Sequence, residues 1–473
     1  MQCTVRVAAA RAGLAAAIAA GVAFPAASGG ASAVTGTGSN WSSYLDGPTH
    51  ASYNPVARVI TSASARKLTR AWTFRGAPAS QKGQPPPGFL SSPTVVDGAI
   101  YIGADTGWFY KIDAATGAVL ARRFIGYQKA KTCPAQGFVD TATVMIDHSD
   151  GQRMVYVGGP DGYLYALRAS NLSVKWRSVI ALPSPTVSNY FEWSSPTIAR
   201  GRIYVGVASG CDRPLVPGAL ISFGQETGRR LAVFRTVPDG MLGGSIWSSA
   251  AIGPDHDIYV TTGNAGMGYT EPRYSDAVVK LSPKRLRPMA WFGIPRRALI
   301  PDGDFGSSPT IFGNFVGACD KNGVYYALHR SSMRLAWSHR VGMGQTRHGN
   351  STCDAAPVYD GRSLYVAGGT VTIKGRRYFG SIQRLSATTG RRIWETGLPD
   401  VVVGSPTMDG GGVIAVATYG FGAKPNVIDL IDAATGRVVR TLVRGQADFA
   451  QAVFADGRLF TADAGGLTGW IVR

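Results

Sequence analysis

The 473-residue chain is 45% hydrophobic and only 16% charged, which excludes a disordered polypeptide and fits a protein with a large core. Its formal charge of +19 reads first as a generally cationic, solvated surface, and secondly as favouring acidic partners such as anionic envelope polymers, acidic lipids or an acidic electron carrier. Nucleic acid is excluded, because the arginines are scattered and no basic helix or zinc-ligand spacing accompanies them.

Arg6 and Arg11 give a positive start, an apolar run follows over 14–27, and Ala31-Ser32-Ala33 offers a small-residue cleavage site. Residues 1–33 are therefore predicted to be a secretory signal, and the protein to be secreted or extracytoplasmic, in the cell envelope or periplasm. The apolar run falls short of the ~20 residues a membrane span needs. Beyond the signal stand four cysteines, Cys133, Cys211, Cys319 and Cys353. An even number in an exported chain suggests disulfides, and of three pairings Cys133–Cys211 with Cys319–Cys353 is preferred over the others and over free buried thiols. Residues 34–67 read as an irregular arm.

From residue 68 onward one phrase keeps returning. Ser91-Ser92-Pro93-Thr94 opens an alternating apolar run, Asp97-Gly98 turns it, and Asp113-Ala114-Ala115-Thr116-Gly117 closes the unit. The opening recurs at Ser194-Ser195-Pro196-Thr197, Ser307-Ser308-Pro309-Thr310 and Ser405-Pro406-Thr407, and the closing at Asp432-Ala433-Ala434-Thr435-Gly436. A period of roughly 45–60 residues with strand–turn–strand patterning belongs to propeller blades. Counting copies predicts an all-β, eight-bladed β-propeller of four-stranded antiparallel blades over 68–473, nearly free of helix. The last copy lacks its fourth strand, and the segment 68–74 is expected to supply it, joining the two ends of the chain.

The blade phrase, with a following Trp at Trp176, Trp337 and Trp394, resembles the pyrroloquinoline quinone (PQQ) dehydrogenase superfamily. The likeness covers almost the whole chain beyond the signal. The wording Trp247-Ser248-Ser249, Thr262-Gly263-Asn264 and Asp304-Phe305-Gly306-Ser307-Ser308-Pro309 is most similar to its polyvinyl-alcohol dehydrogenase branch, without a haem domain, since no Cys-x-x-Cys-His occurs. The resemblance implies a site. Ser209, Gly210 and Asp212 match the loop that binds calcium, Trp247 the floor beneath the quinone, Asn264 a second calcium ligand, Asp304 the catalytic base, and Lys321 the cation that contacts the quinone oxygens. Calcium is a hard cation that takes oxygen ligands, here from Asp212, Asn264 and Asp304. Other expected polar contacts to the cofactor are replaced, by Leu90 in the first blade, by Phe138 to Thr141 where adjacent cysteines would cap the quinone, and by Gly158-Gly159.

The implied activity is PQQ- and calcium-dependent oxidation of an alcohol or hydroxyl-bearing polymer, with a separate electron acceptor and a monomeric enzyme. Each residue also has a structural reading: Asp212 and Asn264 as turn residues, Trp247 as core, Lys321-Asn322-Gly323 as an ordinary hairpin. The alternative function is a non-catalytic exported propeller that binds protein or polysaccharide through its loops. The enzyme requires Asp212, Trp247, Asn264, Asp304 and Lys321 to converge at one end of the central funnel.

Overall fold

The computed structural model describes residues 39–473 apart from 79–87, 129–136, 148, 185–188, 213, 266–270, 346–352, 421–425 and 445–448. The expected signal 1–33, the loop 79–87 and Cys133 lie outside the described residues. Eight four-stranded antiparallel blades follow one another, at 94–124, 143–179, 197–235, 251–293, 310–340, 358–398, 407–444 and 453–472. The eighth is completed by Leu68–Phe74, which pairs antiparallel with Gly466–Val472, so strands from the two ends of the chain close the ring. Among the described residues the only helical elements are two short 3-10 turns, Ser64–Lys67 and Arg296–Ala298.

Each blade runs from a short buried first strand at the channel to a half-exposed fourth strand outside, as in Thr94–Val96 and Val119–Phe124. Buried side chains gather between blades rather than within them. Ile100, Ile112, Val453 and Phe460 join blades 8 and 1, and Val155, Leu167 and Tyr101 join blades 1 and 2, a pattern that continues around the ring. A single blade cannot bury its faces alone, so stability comes from the stack.

The closing phrase owes its residue types to two contacts. Asp113 Oδ1 accepts hydrogen bonds from the amides of Ala115 and Thr116 and from the Thr116 hydroxyl, which fixes the turn. The glycine at its end has a positive φ, +75° at Gly117 and +74° at Gly436, and a methyl there would stand 2.7 Å from the ring of Trp72 or Trp394 in the preceding blade. The indole N–H of each such Trp donates to the neighbouring turn: Trp72 to Ala114 O (3.3 Å), Trp176 to Gln225 O (3.2 Å), Trp337 to Ala387 O (3.2 Å) and Trp394 to Ala433 O (3.1 Å).

The opening phrase forms an inner belt. The Ser195 amide donates to Ser249 Oγ (3.0 Å), that of Ser249 to Ser308 Oγ (2.9 Å), and that of Ala356 to Ser405 Oγ (3.0 Å). The Gln451 amide donates to Ser92 Oγ (2.9 Å), closing the belt between blades 8 and 1.

The arm is irregular in dihedral angles yet highly ordered in its bonding. Trp41 exchanges backbone hydrogen bonds with Val95, and the carbonyls of Ser42, Pro48, Thr49, Ala51 and Ser52 accept from Val144, Ile252, Ile311, Tyr359 and Met408. Asn54 Nδ2 reaches Phe454 O at 2.9 Å. The segment thus circles the axis and touches the innermost strand of seven blades, turning through left-handed φ values at Leu45, Asp46, Gly47, His50 and Ser52. It blocks one end of the channel. Cys319 and Cys353 form a disulfide linking blade 5 to the approach of blade 6, as expected. The Cys133–Cys211 pairing concerns a residue outside the description.

Candidate active site

The channel end opposite the arm is lined by the segments that join successive strands and blades. The second strands Arg202–Ser209, Ile258–Thr261 and Phe315–Asp320 deliver Asp212, Asn264 and Lys321 just beyond their last residues. Trp247 and Asp304 arrive from the other direction, on the runs that lead into the first strands of blades 4 and 5. Ser209, Asp212, Trp247, Asn264, Asp304 and Lys321 line one cavity of about 470 Å³. Gly210 is buried beside Ser209, and its amide bonds Asn189 O at 3.1 Å; it is not among the lining residues.

Asp304 is held at both oxygens. Its Oδ1 accepts the Asn264 amide at 2.8 Å, and its Oδ2 pairs with the Lys321 ammonium. Gly263 and Asp304 form a one-residue antiparallel bridge, and a methyl at Gly263 would overlap Asp304 Oδ1, so this approach requires glycine. Lys321 also reaches Asp302 Oδ2 at 3.4 Å, and its Nζ lies 5.8 Å from the Trp247 ring centroid. Burial works against the ammonium, but the carboxylates of Asp304, Asp354 and Asp302 outweigh it and hold its pKa above the ordinary lysine value. Lys321 is therefore a permanent cation.

Asp212 keeps an exposed edge at the mouth, with left-handed backbone at Cys211 and Asp212. Partial burial and then the Asp304 charge raise its carboxyl to about 6. Ser209 is built into the wall, its amide bonded to Ser245 Oγ and its hydroxyl accepting the Val216 amide, each at 3.0 Å. Behind Lys321 lie Asp276 and Asp320, where burial raises both carboxyls, that of Asp276 to about 7.

Trp193, Phe138, Leu90 and Asp354 are further lining residues. Together with Trp247, Gly306, Val403 and Phe449 they border the adjoining channel of about 820 Å³, which reaches down to Tyr44 of the arm. Phe191 and Trp193 pack with ring centroids 4.4 Å apart, and Phe138 and Trp193 5.1 Å apart. The mouth thus has two unlike walls, acidic with one lysine on blades 3 to 6, and aromatic on blades 1 to 3. Trp193 is not among the site residues expected from the sequence; the signal available for it is that Trp193-Ser194-Ser195 is the blade 3 copy of Trp247-Ser248-Ser249.

The residues present suit the implied groups in part. Asp302 and Asp304 pair with the Lys321 ammonium, and Asp212, Asn264 and Asp304 bring to one cavity oxygen donors of the kind a hard divalent cation takes, but among the described residues no three Asp, Glu, His or Cys side chains are grouped so as to hold a metal ion by themselves. A flat indole face with a cation above its edge fits a planar anionic ring.

A family model described as the β-propeller domain of glucose/ethanol/alcohol dehydrogenases matches residues 41–241. A second, described as the outer membrane protein assembly factor BamB, matches residues 320–469. No curated protein matches the chain. Among solved structures, the fold is similar to a quinohemoprotein alcohol dehydrogenase from Pseudomonas putida HK5, at TM-score 0.71 and 15% identity over 92% of this chain and 80% of that one. It is also similar to a quinohemoprotein alcohol dehydrogenase from Comamonas testosteroni (TM-score 0.68, 15% identity, 91% and 80% covered). BamB from Moraxella catarrhalis follows at TM-score 0.55 and 13% identity, with 85% and 97% covered. Blade architecture and repeat define a closed eight-bladed propeller with a loop-lined mouth. It is the fold that this chain shares with the PQQ-dependent alcohol dehydrogenases, whose propeller model matches its first half.

Proposed function

We propose that the protein is a PQQ- and calcium-dependent dehydrogenase that oxidises an alcohol or a hydroxyl-bearing polymer, of the polyvinyl-alcohol type, and acts outside the cytoplasm. The observation that carries this reading is that Asp212, Trp247, Asn264, Asp304 and Lys321, drawn from three blades, line one cavity. Asp212, Asn264 and Asp304 would hold the cation. Trp247, Lys321, Ser209 and Gly210 would hold the quinone. When bound, the quinone supplies a hydride acceptor and calcium a Lewis acid.

The chain's own contribution is orientation and proton transfer. The Asn264 amide fixes Asp304 through Oδ1 and leaves Oδ2 as the atom that receives the alcohol proton. Lys321 pairs with Oδ2 until the hydroxyl displaces the ammonium from it. The aromatic wall of Phe138 and Trp193 offers an apolar face to the carbon skeleton and limits water at the mouth.

The BamB match over 320–469 favours a second reading, a non-catalytic propeller that works through its loops. A Trp-fluorescence titration of the full mature chain with PQQ, with and without calcium, separates the two. Saturable, calcium-dependent quenching that Trp247→Leu weakens is expected for the dehydrogenase. Absence of quenching at high micromolar PQQ would leave the scaffold.

A further inference from the structure

Behind the aromatic wall two carboxyls meet at the joint of blades 2 and 3. Asp140 stands on the run into the first strand of blade 2, Thr143–Ile146, and Glu192 on the run into that of blade 3, Thr197–Ala199. Asp140 is fully buried and Glu192 is 6% exposed. Both converge on Gly158, at the end of the second strand of blade 2, where a methyl would stand 2.5 Å from Asp140 Oδ2 and 2.6 Å from Glu192 Cγ. Neither carboxyl oxygen of Asp140, nor Glu192 Oε1, has a hydrogen-bond partner among the described residues. Buried polar atoms are rarely left so, and an ionised carboxylate in such a place is costly.

Among the described residues neither acid is in an ion pair. The titratable groups on the elements packed around them are engaged elsewhere. Beyond Gly158, Asp161 accepts the Tyr165 hydroxyl, and Arg177 acts on those two. On blade 1, Asp105 accepts the Leu90 amide. On blade 3, Tyr190 packs into the core between blades 2 and 3, and Tyr204 donates to Pro283 O. Burial therefore raises both carboxyls well above the usual range, the Asp140 charge adds to this at Glu192, and the nearby amides of Gly158 and Ser194 are outweighed. A hard metal ion would need more oxygen donors than two carboxyls bring, and no third acid, His or Cys joins them among the described residues. A proton is the simpler neutralising partner, and a protonated carboxyl can donate to its neighbour.

The wall stands on the same two runs. Phe138 precedes Asp140 by two residues, Phe191 and Trp193 flank Glu192, and the rings of Phe138 and Phe191 stack with centroids 6.1 Å apart. Phe138 and Trp193 border the channel, and the two acids do not. We propose that Asp140 and Glu192 form a proton-operated latch on this wall. While the pair holds a proton, the two runs stay together and the rings stay packed. Loss of that proton at alkaline pH sets two like charges side by side without a cation, drives the runs apart and loosens the apolar side of the mouth. The latch does not depend on the redox reading, since the wall borders the mouth whatever binds there.

The test uses the chain from residue 34 onward, with infrared difference spectra and acrylamide quenching of tryptophan recorded from about pH 6 to about pH 10. The parent is expected to show a protonated-carboxyl band that disappears with a midpoint above about pH 7, and Asp140→Asn/Glu192→Gln to lack it. Quenching should rise over the same interval in the parent, stay flat in the double variant, and lose most of its rise in Trp193→Phe. Stability gives a second readout. Both carboxyls bind protons more readily in the native state than in the unfolded chain, so stability falls as pH rises from about 4 towards their native pKa values. Asp140→Asn escapes that loss at one site, and should melt with the parent near about pH 4 and several degrees above it near about pH 8. A carboxyl band unchanged in the double variant, quenching that rises equally in both, or melting curves that run parallel would each overturn the proposal. A calcium-dependent rise in melting temperature that Asp140→Asn abolishes would also overturn it, in favour of a metal ion between the acids.

Discussion

Lys321 holds Asp304 from two directions: its amide donates to the Asp304 carbonyl at 2.9 Å, while its ammonium pairs with the same residue's carboxylate. The backbone bond fixes where the two residues sit, and the charge pair raises the pKa of Lys321. Asp304→Asn keeps the shape and removes the charge. Dye-linked turnover of the quinone-loaded protein should fall by about a thousandfold, with the melting temperature changed little. With Asp304 neutral, burial has less opposition at Lys321, and its pKa drops. Acylation of Lys321 at mildly alkaline pH, read by peptide mass spectrometry, should therefore rise in the variant. Unchanged labelling would show that Asp304 is not the main counter-charge.

Gly263 tests position without altering any charge. Gly263→Ala would drive a methyl into Asp304 Oδ1 and push the carboxylate off the Asn264 amide. Turnover should fall at least tenfold, with a smaller effect on the unfolding midpoint. If activity were unaffected, the Asn264–Asp304 contact would have no part in catalysis.

His50 makes the arm sensitive to acid. It is buried, its Nδ1 bonds Pro309 O at 2.9 Å, and burial lowers its pKa to about 4 from 6.5, against the opposing effect of that carbonyl. The native state therefore binds a proton less readily than the unfolded chain. The stability His50 gives is fully present above pH 6.5 and is lost progressively as pH falls to 4, by about 3 kcal/mol in all. Between pH 7 and 4.5 the melting temperature of the parent should fall more steeply than that of His50→Gln, which can still donate to Pro309. Parallel curves would place the acid sensitivity elsewhere.

The inter-blade tryptophans should report ring stability. Trp394→Ala removes the ring that packs on Gly436 and the bond to Ala433 O, and should cost about 3 kcal/mol. Trp394→Phe keeps most of the packing and loses the hydrogen bond, about 1 kcal/mol. Denaturant unfolding distinguishes them, and equal losses would mean that the ring face contributes little.

The fold was legible because the propeller repeats its reasons. Ser-Ser-Pro-Thr recurs because each copy bonds the next blade, and Asp-Ala-Ala-Thr-Gly because each turn receives a Trp on its glycine. Asp304 and Lys321 could be singled out because they stand in short motifs beside the repeat. Trp193 and Phe138 were harder to assign, since aromatic residues are frequent throughout the chain and only the channel geometry separates a lining ring from a core one. The circular course of the arm was not legible. Its bonds are carbonyl-to-amide contacts with seven blades, and such contacts leave no pattern in side-chain identity.

Dye-linked alcohol oxidation by the chain from residue 34 onward, reconstituted with PQQ and calcium, beside Asp304→Ala treated identically, tests the proposed chemistry most directly. The expected result is turnover with one or more alcohols or hydroxyl polymers that needs both additions and disappears in the variant. Turnover equal in parent and variant, or none in the parent despite saturable quinone binding, would contradict Asp304 as the base of a working dehydrogenase.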